Sequence, residues 1–264
     1  MMPPWVGGPP ASVNDSPAHV RIGKSRDNTR GKPAPSCKGE KLPVIISATH
    51  RKLPDPGFAL IHADAALIVV NKPSGLLSVP GRGAEKQDCL VTRVQAAYPD
   101  ALIVHRLDFD TSGLLVLARG KAMQRCLSML FQSREVDKRY VAIVAGELAQ
   151  GAGEVDLPLI VDWPKRPLHK VDWATGKPSL TFYRVLSHDA ERGCSRVELV
   201  PATGRTHQLR VHMQALGHPI LGDTLYADPA TRDKADRLLL HAEHLAFVHP
   251  QSAAPLSFDC PAPF

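Results

Sequence analysis

Residues 101–118 read ALIVHRLDFDTSGLLVLA, which places a cluster of ionisable side chains between two apolar runs. The apolar runs, 101–105 and 113–118, are short and aliphatic, and this predicts two strands. Between them lie His105, Arg106, Asp108 and Asp110. Burying such groups costs free energy unless they pair with one another or take part in chemistry. The stretch therefore predicts either a structural salt-bridge network or an active site between two strands.

The sequence on either side of this stretch has the same β-rich texture. Further strands are predicted over 65–71, 139–146, 180–187, 195–200 and 244–250. Helical periodicity is present over 86–97, 120–133 and 205–216. Strands outnumber helices and do not alternate with them regularly, so we expect an α+β fold. Its predicted form is a large mixed, mostly antiparallel sheet flanked by helices, in one domain over residues 59–264.

The first 58 residues differ in composition from the remaining chain. They contain ten prolines and nine Lys or Arg against four acidic residues, so they carry +5 of the net charge of +6. They show no periodic apolar pattern, which predicts a disordered basic arm. Weak tethering of RNA, a solubilising role and a misplaced start codon all fit this arm.

A second polar cluster spans residues 203–214, TGRTHQLRVHMQ. On a helix, His207, Arg210 and Gln214 would share one stripe, while Leu209 and Met213 would share the other. The polar stripe begins beside a helix N-terminus, a position that suits an anion. Taken alone, the pattern favours the solvated face of an ordinary amphipathic helix.

Several classes of protein lack support in the sequence. There is no G-x-G-x-x-G or Walker loop for a nucleotide cofactor and no G-x-S-x-G elbow for a serine nucleophile. His207 and His212 are five residues apart, off the face that an H-x-x-x-H metal site uses, and the five cysteines form no C-x-x-C pair. We therefore expect no cofactor and no metal.

The expected location is the cytoplasm. No run approaches the roughly 18 apolar residues that span a bilayer, so no membrane association is expected. The proline-broken opening MMPPWVGGPP is not a secretory signal. Five scattered cysteines, an odd number, suit a reducing compartment.

Four motifs together resemble the RluA family of pseudouridine synthases, in the order that the family has them. They are VVNKPSGLLSVPG (69–81), HRLDFDTSGLLVLA (105–118), KRYVAIVAG (138–146) and TGRTHQLRVHMQALGHPILGD (203–223). The resemblance runs from about Leu60 to Phe264. It includes no S4-like RNA-binding domain before the main body, and it does not cover the proline-rich arm.

The resemblance implies an RNA isomerase that converts specific uridines to pseudouridine without a cofactor. Asp108 occupies the position of the family's catalytic aspartate, which acts on the ribose of a flipped-out uridine as nucleophile or as base. Arg210 matches the arginine that pairs with this carboxylate, and Tyr140 matches the tyrosine that stacks on the target base. Arg106 matches the residue that fills the gap left by that base. The residues expected to contact RNA are Arg106, His105, Arg205, His207 and Arg139.

The implied substrates are uridines in 23S rRNA, in a tRNA anticodon stem-loop, or in both, and the enzyme is expected to be a monomer. One competing interpretation is a non-catalytic RNA-binding or ribosome-assembly factor on the same fold. The presence of Asp108, Tyr140 and Arg210 together argues against it, because a protein that only binds a phosphate polymer does not need a carboxylate that faces the polymer. Another is a metal-dependent hydrolase, for which the sequence offers no ligand set.

Overall fold

The computed structural model of the chain describes residues 57–264. The predicted basic arm therefore lies outside the described residues except for Gly57 and Phe58. The side chain of Phe58 packs against a hydrophobic core cluster. Within the described part, no helix is long and apolar enough to cross a bilayer.

Twelve strands and four α-helices make up the described chain. The strands are β1 (Ala59–Ala63), β2 (Leu67–Lys72), β3 (Ala101–Ile103), β4 (Ser112–Arg119), β5 (Asp137–Ala145), β6 (Ala152–Asp156), β7 (Leu159–Val161), β8 (His169–Val171), β9 (Leu180–Asp189), β10 (Cys194–Pro201), β11 (Leu240–Val248) and β12 (Pro255–Asp259). The helices are α1 (Leu90–Ala97), α2 (Gly120–Ser133), α3 (Gln208–Ala215) and α4 (Pro229–Arg232).

Ten of the strands form one sheet in the order β1-β2-β4-β11-β5-β10-β9-β6, with β3 paired to β4 and β12 paired to β11. The strands β7 and β8 form a separate hairpin. Among these strands, β4 and β11 pair in parallel and the other pairs are antiparallel. The predicted α+β class with a large mixed, mostly antiparallel sheet is confirmed.

The strands β2 and β4 are buried on both faces, which explains their uninterrupted apolar sequences. Alternate residues point to opposite faces of a sheet. Thus Leu67 and Val69 pack in the cluster that contains Leu127 of α2. Ile68 and Val70 pack in a different cluster, with residues of α1. The two helices therefore cover opposite faces of this half of the sheet.

The other half of the sheet packs against α3. Leu209 and Met213 lie in one cluster with Val144 of β5 and Val197 of β10. These leucine and methionine side chains form the apolar stripe predicted from the sequence. This packing holds α3 against the half of the sheet that contains β5 and β10.

Two predicted helices begin later than their periodicity indicated. The backbone of His207 is left-handed, with φ of 57°, so α3 begins at Gln208 and not at residue 205. His207 therefore does not share a helical stripe with Arg210. The helix expected from residue 86 begins at Leu90. The sequence did not predict five of the strands, β1, β6, β7, β8 and β12. Each has three to five residues, of which at most one is buried, so their apolar signal is weak.

A close approach between β4 and β11 fixes the end of the β3–β4 loop. Gly113 has φ of 115°, and a Cβ atom there would lie 2.4 Å from the carbonyl oxygen of Ala242. No other residue fits this position without moving one of the strands. The glycine thus allows the only parallel pair among these strands to form where the ionisable loop returns to the sheet.

Candidate active site

A cavity of about 190 Å³ opens beside the β3–β4 loop. The loop forms one wall, β5 forms another, and the chain from Pro201 to α3 forms the third. Its polar and charged lining residues include Arg106, Asp108, Lys138, Tyr140, Thr203, Arg205, His207 and Arg210. The cavity therefore joins the two polar clusters that lie almost 100 residues apart in the sequence.

The loop that carries Asp108 is attached to the segment after β2. Ser78 Oγ donates to the carbonyl of Leu107 at 2.7 Å and accepts from its N–H at 3.1 Å. On the other side of Asp108, the N–H of Gly75 donates to the carbonyl of Phe109 at 3.0 Å. Backbone on both sides of Asp108 is thus held, which positions its carboxylate at the cavity wall.

Lys72 provides the third attachment of this loop. Its ammonium donates to the carbonyls of Leu76 at 2.7 Å, Pro73 at 2.8 Å and Phe109 at 3.1 Å. The side chain is completely buried, and desolvation lowers the pKa of Lys72 to about 8, against the opposing influence of Asp108 and Asp110. These contacts give the segment that begins at Lys72 a supporting role beneath the loop that carries Asp108.

Arg210 has two carboxylate neighbours at different distances. Its Nε and Nη2 donate to Asp223 at 2.8 and 2.6 Å, in a bidentate pair. Its Nη1 lies 3.8 Å from Oδ2 of Asp108. Arg210 is 2% exposed, Asp223 is fully buried and the side chain of Asp108 is 18% exposed. Arg210 therefore does not lie on a solvated face of the helix. Its closer carboxylate partner is Asp223.

Asp223 is a residue of this site that the sequence analysis did not identify. Its Oδ1 also accepts from the N–H groups of Leu225 at 2.9 Å and Tyr226 at 3.1 Å. The turn before it requires Gly222, since a Cβ there would lie 1.8 Å from the carbonyl oxygen of Arg237. Asp223 is the last letter of the motif 203–223, but a 13-residue separation gives no local signal that it pairs with Arg210.

The same pairing sets the charge of Arg210. Burial alone lowers an arginine's pKa, but the hydrogen bonds and negative charge of Asp223, with a further contribution from Asp108, raise the pKa of Arg210. The guanidinium therefore stays positive beside Asp108. Its position is fixed because two of its nitrogens are bound to a buried carboxylate.

His207 lines the cavity near Asp108. Its Nε2 lies 4.0 Å from Oδ2 of Asp108, and its Nδ1 is 2.7 Å from the hydroxyl of Tyr226. Burial lowers the pKa of His207 to about 4, and the attraction of Asp108 offsets only part of this shift. The imidazole is therefore neutral near pH 7, so the fixed positive charge next to Asp108 comes from Arg210.

Tyr140 and Lys138 face the cavity from β5. Tyr140 packs between two of the core clusters, and burial together with the charge of Asp108 raises its pKa. Its phenol is therefore protonated at neutral pH. Lys138, two residues earlier, shares its face because side chains alternate along a strand. That alternation was the available signal for Lys138, which the sequence analysis did not select.

Two residues expected to contact RNA lie elsewhere. Arg139 points to the other face of β5, where it is 3.5 Å from Glu198 and 3.3 Å from Asp259. His105 stacks on Phe131 at 4.3 Å between ring centroids and accepts from the N–H of Val116. Burial, and then the charge of Lys138, lower the pKa of His105 to about 3. Neither residue lines the cavity. His105 packs against Phe131, and Arg139 lies near two carboxylates.

Arg106 and Arg205 are both exposed and both line the cavity. Asp110 lines a different cavity of about 750 Å³, together with Lys72, Ser112 and Arg237. Burial raises the pKa of Asp110. The two aspartates of the 105–113 motif therefore face different cavities, and Asp108 is the one that lies with Arg210 and Tyr140.

A family model described as RNA pseudouridylate synthase matches residues 66–215. Among curated relatives, the dual-specificity RNA pseudouridine synthase RluA of Yersinia pestis is 53% identical over 205 residues, 78% of this chain and 99% of the relative. The enzyme of the same name from Escherichia coli (strain K12) is 53% identical over 210 residues, 80% and 95% of the two chains.

Two solved human structures have a similar fold. Human RNA pseudouridylate synthase domain containing 1 superposes with a TM-score of 0.67 at 30% identity, over 81% of this chain and 87% of that one. Human RNA pseudouridylate synthase domain containing 4 gives a TM-score of 0.63 at 30% identity, over 78% and 88%. The range matched by the family model, 66–215, contains Asp108, Tyr140 and Arg210 of the cavity.

Proposed function

The chain belongs to the RNA pseudouridylate synthase family, and we propose that Asp108 acts on the ribose of a uridine flipped into the 190 Å³ cavity. The protein is an isomerase that acts on RNA. The observation that carries the assignment of Asp108 is its position at the cavity wall, 3.8 Å from the anchored guanidinium of Arg210.

The reaction exchanges one bond to the ribose for another. The N1–C1′ bond of uridine breaks, the uracil turns in place, and C1′ bonds to C5. The hydrogen on C5 leaves as a proton and N1 gains a proton, so atoms and electrons balance without an oxidant or reductant. We accordingly propose that the enzyme works with no cofactor and no metal.

Asp108 serves either as a nucleophile at the ribose or as the base that removes a ribose proton. Both roles require the carboxylate to be negatively charged before the reaction, and a nearby guanidinium stabilises that charge. Arg210 cannot move toward solvent, because Asp223 binds two of its nitrogens. The charge beside Asp108 is thus in place before RNA binds, which is the arrangement that electrostatic catalysis needs.

Tyr140 provides a flat surface on which the detached uracil stacks while it turns. An aromatic face holds a base without fixing its in-plane orientation, whereas hydrogen bonds would fix it. Base flipping costs a few kcal/mol of unstacking, and the planar guanidinium of Arg106 recovers part of this by filling the gap in the RNA. Arg205 and Lys138 contribute positive charge for the flanking phosphates.

The substrates we propose are a uridine in a tRNA anticodon stem-loop and one in a 23S rRNA hairpin. Support comes from the curated relatives, which are dual-specificity enzymes at 53% identity. We also propose that the enzyme acts as a monomer in the cytoplasm. Both substrates are loops, and proteins recognise an RNA loop largely by its shape.

The test is turnover on a uridine-containing anticodon stem-loop in EDTA. Formation of pseudouridine by the full chain is the expected result, and loss of the C5 hydrogen gives a direct readout. Tight binding without turnover would instead favour a non-catalytic RNA-binding protein. Pseudouridine mapping of tRNA and 23S rRNA from cells with and without the gene then identifies the modified positions.

A further inference from the structure

We propose that residues 157–178, the tryptophan hairpin, form an RNA-docking surface that stacks unpaired bases next to the target uridine. The hairpin contains β7, β8 and the turns after each strand. The proposal rests on the proposed function, because it assigns a second contact for the same RNA. Its occupant is the single-stranded part of the substrate loop that leaves the catalytic cavity.

The two tryptophans of the described residues are both on this hairpin, and both are exposed. Trp163 is 62% exposed and Trp173 is 75% exposed. Tryptophan is highly buried on average in folded proteins. The hairpin is anchored in the fold, because Leu159 is buried in one cluster with Val211 and Tyr226. The exposed rings are therefore presented to solvent by a segment that is anchored in the core.

The backbone around both rings is fixed by hydrogen bonds. Leu159 and Lys177 exchange two backbone hydrogen bonds at 2.9 Å, and the N–H of Asp162 donates to the carbonyl of Leu168 at 2.8 Å. The carboxylate of Asp172 accepts from the N–H groups of Ala174 and Thr175, which closes the turn that carries Trp173. A preformed platform loses little conformational freedom when a ligand binds to it.

The charge of the hairpin suits a phosphate polymer. Between residues 157 and 178 there are four Lys or Arg residues and two Asp residues. The guanidinium carbon of Arg166 lies 4.5 Å from the ring centre of Trp163, so a positive charge lies directly beside an aromatic ring. Aromatic stacking combined with a positive surface is how single-stranded nucleic acids are bound without sequence readout.

The hairpin adjoins the catalytic cavity directly. The N–H of His169 on β8 donates to the hydroxyl of Tyr226 at 2.8 Å. That hydroxyl is also 2.7 Å from His207, whose Nε2 is 4.0 Å from Asp108. Arg205, at the cavity, donates to the carbonyl of Pro178 at the end of the hairpin. RNA that continues from a uridine at Asp108 therefore meets this surface.

The test compares Trp163→Ala and Trp173→Ala in the full chain with the unmodified enzyme on an anticodon stem-loop. We expect each change to raise the Kd by about tenfold, within the range measured for loss of one stacked base. We expect the single-turnover rate at saturating enzyme to stay within about twofold. Trp163→Phe, which keeps an aromatic face, should recover most of the affinity.

Leu186→Ala is the matched control, since Leu186 is an exposed apolar side chain on β9 outside the hairpin. It should leave the Kd unchanged. In a Trp5→Phe background, the intrinsic emission reports only Trp163 and Trp173, and RNA should quench it. This measurement needs no truncation of the hairpin, so it does not depend on how the alanine variants fold.

Unquenched emission at saturating RNA, or alanine variants that bind as tightly as the parent, would overturn the docking surface. So would a loss confined to the saturating rate, because that result indicates support of His207 and not contact with RNA. These outcomes differ from failure of the proposed function, in which the unmodified enzyme binds the stem-loop but forms no pseudouridine.

Discussion

Arg210 binds Asp223 through two nitrogens at 2.8 and 2.6 Å, and the nitrogen left over, Nη1, lies 3.8 Å from Asp108. The tight pair orients the arginine, and the looser contact faces the cavity. This division follows from burial, because Asp223 is inaccessible to solvent whereas Asp108 is partly exposed. Asp223 is thus a positioning residue for the charge that faces Asp108.

Asp223→Asn should destabilise the fold and slow the chemical step together. Removing one partner of a buried ion pair leaves an uncompensated charge, which costs about 3–5 kcal/mol. A bidentate orientation of Arg210 is also lost, so its Nη1 no longer has a fixed place near Asp108. Denaturant unfolding measures the first effect, and single-turnover rates below the unfolding transition measure the second.

Asp233→Asn is the control, because Asp233 forms an exposed pair with Arg232. Exposed pairs contribute about 0–1 kcal/mol, so neither quantity should change much. A stable Asp223→Asn enzyme with the parental rate would show that Arg210 needs no second carboxylate.

Asp108→Asn should abolish isomerisation while the Kd for RNA stays within about tenfold, or roughly 1.4 kcal/mol. The change keeps the size of the side chain and removes the negative charge on which the chemistry depends. Asp110→Asn should remain active, because Asp110 lines the other cavity. Single-turnover assays on one stem-loop compare the two variants, and measurable turnover by the Asp108→Asn variant would contradict the assignment.

The sequence predicted the cavity better than it predicted its electrostatics. Asp108, Tyr140 and Arg210 came from motifs, and the structure brings these three together at one cavity. Asp223 was missed because a loop and a glycine turn separate it from Arg210, and a contact between distant segments leaves no periodic signal. Arg139 was expected to contact RNA and Lys138 was not, although alternation along β5 places Lys138 on the same face as Tyr140.

The tryptophan hairpin could not be predicted from the sequence for a different reason. Its strands, β7 and β8, have three residues each. Runs this short carry too few apolar residues for an alternating pattern to stand out. At His207 the sequence has a helical pattern that the backbone does not follow. This residue has a left-handed backbone conformation, and the helix begins only after it.

Arg210→Ala and Arg205→Ala should affect different steps. Arg210 is buried beside Asp108, so its loss should lower the single-turnover rate by far more than it raises the Kd. Arg205 is exposed at the cavity, and its loss should weaken binding and reduce the salt dependence of affinity. Single-turnover rates at saturating enzyme and Kd values over a salt series separate these effects. Equal changes of rate and affinity in both variants would contradict the division.

The protein should lose stability as the pH falls from about 7.5 to 5. Burial lowers the pKa of His105 to about 3 and that of His207 to about 4, and it also lowers the pKa values of His212 and His241. In the unfolded chain these imidazoles have pKa values near 6.5, so between about pH 6.5 and 4 the unfolded state binds more protons. The contribution of these four histidines to the free energy of unfolding is therefore fully present above about pH 6.5 and decreases as the pH falls below that value.

At pH 5 the expected loss is on the order of 1–2 kcal/mol for each of His105 and His207, after allowance for their partial exposure. Guanidinium unfolding at pH 7.5 and 5.0 measures it. His207→Asn removes one titrating group, and asparagine tolerates the left-handed backbone at this position, so this variant should show a smaller difference between the two pH values. Carboxylates with lowered pKa values titrate below this window and do not produce the effect. Equal unfolding free energies at the two pH values would show that these imidazoles take up protons in the folded protein without penalty.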